Sequence, residues 1–285
     1  MNNGVTLRAA LQDAASQLAS SPTGRRDAEL LLMRATGRDR AYLLTHPEAK
    51  LTAGQAAVYQ SWLERRARHE PVQYILGEQE FFGLKFRVTP DVLIPRPETE
   101  HLVEATLVRA VHNRPLRIVD VGTGSGAVAV AVAHALLNAQ ITALDISGAA
   151  LAVALENAQR HGVEERIRFV QSDLLAAVAP AAVVNEQFDM VVSNPPYVAE
   201  SELLEPQVRE YEPAAALFAG PDGLDIYRRL IPQAHSALRP GGWLLMEIGH
   251  GQGDALAQML AGWKNVSFVG DLQGIPRVAC AQTAE

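Results

Sequence analysis

Cysteine is almost absent: Cys280 is the only one in 285 residues. No intrachain disulfide is therefore possible, which excludes a disulfide-built secreted scaffold. Its setting, Val-Ala-Cys-Ala, reads as buried and structural rather than nucleophilic. Long apolar runs are missing too, since none approaches the roughly 20 residues that a bilayer-spanning helix needs. The first twenty residues lack the basic region and apolar core of a signal peptide. Together these readings predict a cytoplasmic protein with no membrane association. Basic charge is also scarce. The chain has 25 Lys+Arg against 32 Asp+Glu, a net charge of −7, which argues against stable, sequence-blind nucleic-acid binding. The balance is uneven: residues 1–75 hold 10 basic and 7 acidic side chains (+3), and residues 76–285 hold 15 and 25 (−10). Solvated surface accounts for such a difference. His46 and His69 are isolated, and no metal site is expected.

What remains is an ordinary globular composition, 48% hydrophobic and 20% charged, long enough for one large or two smaller domains. Residues 6–70 read as four helices. Leu7, Leu11, Ala14 and Leu18 form one apolar face behind a Thr6 cap. Ala28, Leu31, Leu32 and Ala35 form another, stopped by Gly37. A short helix is expected around Ala41–Leu44, and a longer one opens at Thr52 and runs through Tyr59, Trp62 and Leu63 to Pro71. Phe81–Phe86 reads as a hairpin turning near Gly83. Thr99 is a plausible cap for the helix after Pro95-Arg96-Pro97-Glu98.

From Leu116 the rhythm becomes strand, helix, strand. Strands are expected at 116–121, 141–146, 167–170, 188–192, 243–248, 266–269 and 278–281. Helices are expected at 127–137, 147–161, 223–238 and 252–263. This alternation implies an α/β fold with a mostly parallel sheet and helices on both faces. No internal repeat is evident.

Two loops carry the chemistry. The first follows Asp120: Gly122-Thr123-Gly124-Ser125-Gly126, whose glycines let backbone pass close to a ligand at a helix N-terminus. Alone it also fits a dinucleotide site. Asp145 lies 23 residues after Gly122 and suits ribose hydroxyls under either reading. Asp120 can face a ligand ammonium group, and Asp173, closing the third strand, can accept from an adenine amino group. S-adenosyl-L-methionine carries both groups. The second loop is Asn194-Pro195-Pro196-Tyr197, delivered at the carboxyl end of a strand, where open α/β sheets place their ligands. The prolines stiffen it and remove two donors. It is then rich in acceptors, suited to the two coplanar N–H groups of a planar NH2, with Tyr197 covering the flat face.

Asp120–Gly126, Asp145, Gln171-Ser172-Asp173 and Asn194–Tyr197 together resemble the class I methyltransferase series. Ile94-Pro95-Arg96-Pro97-Glu98-Thr99-Glu100, Tyr74-Ile75 with Gly77, Glu212-Pro213 and Asp222-Gly223-Leu224 narrow the match. They resemble the release factor glutamine N5-methyltransferases, the PrmC/HemK family. One position departs: Leu174 stands where the family often carries an aromatic stacked on adenine, so that contact is expected to be weaker.

The resemblance implies a Rossmann-like methyltransferase domain with a seven-stranded sheet at 96–285, a helical substrate-recognition domain at 1–72 and a β-hairpin connector at 73–95. It implies a monomer that transfers a methyl group from S-adenosyl-L-methionine to the side-chain amide nitrogen of glutamine in the Gly-Gly-Gln motif of class I peptide chain release factors. Asn194, Pro195 and Tyr197 would be catalytic, and Pro196 would join them in holding the substrate. Asp120, Gly122, Thr123, Gly124, Ser125, Gly126, Asp145, Asp173, Leu174 and Asn194 would line the cofactor. Four other readings stay open on the residues: a ribosomal-protein glutamine methyltransferase, an adenine-N6 DNA methyltransferase, an NAD-dependent dehydrogenase, and a non-catalytic binding protein.

Overall fold

The computed structural model describes residues 4–110, 114–178 and 187–285. They form two compact units. The first comprises residues 1–78 with 204–211, and the second comprises 79–203 with 212–285. The first unit thus runs past the boundary expected at 72 and takes in a segment from far along the chain.

The first unit holds helices α1 (Leu7–Gln17), α2 (Gly24–Thr36), α3 (Arg40–Thr45), α4 (Ala53–Ala67) and α5 (Val72–Leu76). Local chemistry sets their ends. The Thr6 hydroxyl accepts from Ala9 N, Gly37 takes the left-handed conformation that ends α2, and Thr52 with Gln55 forms a capping box. Leu7, Ala14, Leu18, Leu31, Leu32 and Leu63 make the core. Leu11 is only half-buried; Ala10 takes the inward place. The fifth helix falls where the sequence suggested only connector, because Pro71 starts a helix as readily as it stops one and Gly77 then ends it. Within the unit, Arg66 and Asp27 form a buried ion pair at 2.7 Å, and Arg66 also donates to Gln207 at 3.0 Å. That bond ties 204–211 to α4.

The second unit opens with a hairpin, β1 (Glu78–Phe81) and β2 (Leu84–Arg87). Phe82 and Gly83 both have positive φ (50° and 72°), which matches the twist of a two-residue hairpin turn. Then come α6 (Glu100–Arg109), β3 (Leu116–Val121), α7 (Ala127–Ala135), β4 (Ala139–Asp145), α8 (Gly148–Arg160), β5 (Ile167–Gln171) and β6 (Phe188–Ser193). The helix α9 (Pro206–Tyr211) belongs with the first unit. After it follow α10 (Asp225–Ala237), β7 (Leu238–Glu247), α11 (Gly253–Met259), β8 (Lys264–Gly270) and β9 (Pro276–Gln282). The seven strands of the large sheet run in the order β5-β4-β3-β6-β7-β9-β8. Six run in the same direction, and β9 lies antiparallel to both of its neighbours.

Several ends differ from the sequence expectation. The strand expected from Trp243 begins at Leu238. Pro240, Gly241 and Gly242 are absorbed as an irregularity in the β6–β7 pairing rather than ending the strand. The helix expected to reach Leu137 stops at Ala135, since Leu136 is extended and the chain must enter β4 at Ala139. The helix expected over 252–263 ends at Met259. Helix α10 runs through Pro232, where a break would be the usual outcome. Helix α7 is buried from Ala127 to Ala133, as a helix apolar all round must be. Cys280 is fully buried and free, and its thiol is pushed up to about 11 by burial.

Candidate active site

The site is one row across the carboxyl ends of five strands. Asp145 pairs with Gln171, Val121 pairs with Leu144 and with Ser193, and Ser193 pairs with Met246. One residue further along each strand, Gln171, Asp145, Gly122, Asn194 and Glu247 therefore fall in line. Between β3 and β6 the strand order reverses direction. This is the topological switch point, where such sheets open a crevice for ligand. Gly122 and Asn194 flank it: a Cβ on Gly122 would stand 3.9 Å from the Asn194 carbonyl oxygen. The Ser193 hydroxyl donates to Val121 O at 2.7 Å and pins the two strand ends together.

The glycine loop has the conformation its residues demand. Gly122, Gly124 and Gly126 all have positive φ (73°, 53° and 79°), costly for residues with a Cβ. A Cβ on Gly126 would lie 3.0 Å from the Ala154 Cβ, so helix α8 packs close, while one on Gly124 would meet nothing within 4 Å. The loop therefore keeps open space beside Gly124. Asp145 holds it from the neighbouring strand: Oδ2 accepts from Gly124 N at 2.8 Å and Oδ1 from Ser147 N at 2.9 Å. Asp120 is buried and accepts from the Thr123 hydroxyl at 2.6 Å. Burial pushes its carboxyl up to about 7; the Thr123 hydrogen bond and a backbone N–H oppose that, and nearby Asp145 adds to it. Ser125 is buried, and its carbonyl accepts from Asn157 Nδ2 at 2.9 Å. Asn157 also exchanges both of its amide bonds with the backbone of Arg87, linking hairpin, α8 and loop.

The residues fit S-adenosyl-L-methionine, whose methyl-bearing sulfur and amino group are cationic. Two carboxylates, Asp120 and Asp145, stand at a glycine loop with open space, at the switch point of the sheet. Asp173 follows β5 two residues after Gln171, which pairs with Asp145. It is half-exposed and paired with Arg229 at 2.6 Å, so the adenine amino group expected there would meet an acceptor shared with a guanidinium. Leu174 holds a left-handed backbone (φ 51°) and packs against the apolar cluster that includes Val121 and Leu175.

The Asn-Pro-Pro-Tyr loop is held from three sides. Asn194 Nδ2 donates to the Thr99 hydroxyl at 3.0 Å, which commits the amide nitrogen and leaves Oδ1 as its accepting end. Pro195 is buried and Pro196 half-buried. Gln252 Nε2 donates to the Tyr197 carbonyl at 3.0 Å. Gly223 leaves room for this, because a Cβ there would lie 2.3 Å from that same oxygen. The Tyr197 hydroxyl donates to Glu247 Oε1 at 3.4 Å, and burial drives this phenol well above its ordinary value.

Sequence reasoning missed Thr99 in this role. It was expected to cap α6, yet its side chain makes no cap hydrogen bond and instead receives Asn194. It missed Glu247 as well. The signal was present: a lone carboxylate ending the apolar run Trp243-Leu244-Leu245-Met246, at the same level as Asn194. Glu212 was noted only as part of a motif. It is buried, accepts from Ile94 N at 3.1 Å and pairs with Arg96, so it fastens the Pro-Arg-Pro-Glu segment that delivers Thr99. Among the described residues there is no group of three or more side chains able to hold a metal ion, and no helix is long and apolar enough to cross a membrane.

Residues 9–77 match the family described as PrmC N-terminal domain, and residues 101–211 match the methyltransferase small domain. The chain is similar to the release factor glutamine methyltransferase of Koribacter versatilis (strain Ellin345), 48% identical over 96% of this chain and 97% of that one. It is similar to the protein of the same description from Geobacter sulfurreducens, 43% identical over 89% of this chain and 88% of that one. Among solved structures it resembles the Thermus thermophilus 16S rRNA N2 G1207 methyltransferase RsmC in complex with AdoMet and guanosine. That likeness has a TM-score of 0.52 and 18% identity, over 72% of this chain and 49% of that one, and it bears on the fold.

Proposed function

We propose, for a chain that belongs to the release factor glutamine methyltransferase family and so uses S-adenosyl-L-methionine to methylate glutamine of a release factor, that the acceptor atom is the side-chain amide nitrogen (N5). On this reading the glutamine is that of the Gly-Gly-Gln motif in class I peptide chain release factors. The observation that carries the reading is the orientation of Asn194. Its Nδ2 is committed to Thr99, so Oδ1 is the atom offered at the switch point, an acceptor suited to an N–H.

An amide nitrogen is a poor nucleophile, because its lone pair is delocalised into the carbonyl. No side chain deprotonates it usefully in the ground state at neutral pH. The chain's residues act on geometry and charge instead. Asn194 Oδ1 and the Pro195 carbonyl accept the two N–H groups of the substrate amide and hold its plane, a proximity effect. The prolines keep these acceptors rigid. The same acceptors stabilise positive charge developing on nitrogen as it attacks. Tyr197 packs on the amide plane. The cofactor, held by Asp120, Asp145 and the Gly122–Gly126 loop, supplies a methyl group on positively charged sulfur. The acceptor nitrogen would take that methyl group through its lone pair, the bond to sulfur being the one broken, and would give up one N–H proton to solvent water. The sulfonium is itself the activating group, so the scheme calls for no metal.

Residues 1–78 are the substrate-recognition part on this reading. They hold no catalytic set and carry a groove of about 1160 Å³ lined by Leu11, Met33, Leu43 and Leu44 with Arg25 and Arg26.

The reading is tested by transfer of labelled methyl to four acceptors: an intact class I release factor, the same factor with its motif glutamine replaced by alanine, ribosomal protein, and adenine-containing DNA. Label in the intact factor alone is expected. Equal label in the alanine variant, or preferential label in ribosomal protein or DNA, overturns it.

A further inference from the structure

The Asn-Pro-Pro-Tyr loop has little backbone bonding of its own. Its two prolines have no N–H to donate. Among the described residues, the main chain of Pro195, Pro196 and Tyr197 takes part in one hydrogen bond, the one that the Tyr197 carbonyl accepts from Gln252 Nε2 at 3.0 Å. Proline fixes φ within the loop, but it does not fix where the loop stands against the sheet. That depends on what the far end is tied to, and the tie is a half-buried side chain 55 residues away in sequence.

Gln252 suits this place because an amide accepts and donates at once. Its Oε1 accepts from Gly249 N at 2.9 Å. That contact settles which end of the amide points where, since a backbone N–H must meet the oxygen. Nε2 then faces two carbonyls, Tyr197 O at 3.0 Å and Gly223 O at 3.4 Å. One amide thus joins three chain segments: the loop after β6, the turn before α10 and the chain after β7. A carboxylate of the same shape could keep the Gly249 bond, but it would set oxygen against two carbonyl oxygens. Two glycines keep the room. A Cβ on Gly223 would lie 2.3 Å from the Tyr197 carbonyl oxygen and 3.0 Å from Gln252 Nε2. A Cβ on Gly249 would lie 2.9 Å from Gln252 Oε1 and 3.0 Å from Tyr197 Cδ2. The Tyr197 ring therefore lies close against Gly249, while its hydroxyl reaches Glu247 Oε1 at 3.4 Å.

We infer that Gln252 is a positioning residue for methyl transfer, acting through the Tyr197 main chain to hold the Pro195 carbonyl and the Tyr197 ring in register with Asn194. This rests on the reading of the loop given above. Loss of the Nε2 donor frees the Tyr197 carbonyl. The loop then pivots about Asn194, which keeps its own bond to Thr99. The second acceptor and the ring no longer meet the plane of the substrate amide together with Asn194 Oδ1.

The test is single-turnover methylation of a class I release factor, titrated to saturation at saturating S-adenosyl-L-methionine, with Gln252→Glu, Gln252→Met and Asn194→Ala. Thermal melts of each variant set a working temperature at which all are folded. Gln252→Glu keeps the shape and the Gly249 bond and loses only the donor to the two carbonyls; Gln252→Met keeps the length and loses all three bonds. Each should slow transfer about 10- to 100-fold, the scale of a misplaced reacting group, with cofactor affinity and KM for the factor unchanged. A wild-type transfer rate in both Gln252 variants overturns the inference while leaving the glutamine reading intact. So does a lowered Tm with the rate of the folded protein unchanged, the mark of a residue that only stabilises the fold. A loss confined to KM or to cofactor affinity overturns it as well. A wild-type rate in Asn194→Ala overturns both the inference and the reading beneath it, and is read without touching Gln252. Gln252→Met decides the matter should Gln252→Glu fail to fold.

Discussion

The side-chain amide of Asn194 donates to the hydroxyl of Thr99 over 3.0 Å, joining the end of β6 to the start of α6 across 95 residues of sequence. Asn194→Ala removes the acceptor on the other side of that amide. We expect the fold and most of the cofactor affinity to survive and single-turnover methylation to fall by about 100- to 1,000-fold, by analogy with the loss of an oxyanion-hole donor. Asn194→Asp is expected to fall as well. It keeps one oxygen but loses the donor to Thr99 and adds charge near buried Glu247. Near-normal rates in both variants would reduce Asn194 to a strand-end residue.

Asp145 uses both oxygens on backbone, Gly124 N and Ser147 N, and each oxygen has a second lone pair for a ribose hydroxyl. Asp145→Ala should therefore lose charge-assisted bonds to the cofactor, worth about 1.5–3 kcal/mol each, and slacken the glycine loop besides. Titration calorimetry should show markedly weaker binding of S-adenosyl-L-methionine. Unchanged affinity would remove Asp145 from the cofactor site.

Asp120 predicts a pH dependence of stability. Its carboxyl rises from 3.8 to about 7, chiefly by burial. Between those values the folded chain holds a proton that the unfolded chain has released. The stability tied to this group is thus fully present below pH 3.8 and lost as pH rises through about 7. Asp120→Asn cannot titrate. In thermal melts without cofactor, the variant should gain on the wild type from pH 5 to pH 8, a window spanning that upper value. A constant difference in Tm across the window would contradict a carboxyl raised by burial.

The groove of the first unit makes a separate prediction. Leu44 is 68% exposed at its rim. If this surface receives the release factor, Leu44→Glu should raise KM for the intact factor roughly five- to tenfold, the loss of about 1 kcal/mol or more that marks an interface anchor. Cofactor affinity should not change. An unaltered KM would move the recognition surface elsewhere.

The strand–helix alternation, the glycine loop and the Asn-Pro-Pro-Tyr loop were legible in the sequence, because each rests on local rules: periodicity, positive φ, and the donors that proline removes. The register row was not legible. That Gln171, Asp145, Gly122, Asn194 and Glu247 come level depends on pairing between strands far apart in sequence. Thr99 was misread as a cap for the same reason: its real partner arrives from β6. Leu238–Gly242 was misread because Pro and Gly ordinarily end strands, and only the neighbouring β6 shows that pairing resumes around them. The placement of 204–211 with the first unit depends on Arg66 and Gln207, and no periodicity announces that pair.

The central claim, that the methyl group goes to the glutamine side-chain nitrogen, is met most directly by tandem mass spectrometry. A class I release factor is incubated with the protein and S-adenosyl-L-methionine, then digested. The fragment spectrum of the Gly-Gly-Gln peptide is expected to place one added methyl group on the glutamine, released as methylamine on acid hydrolysis. A methyl group on any other residue, or an unmodified peptide after full exposure to active protein and cofactor, would contradict it.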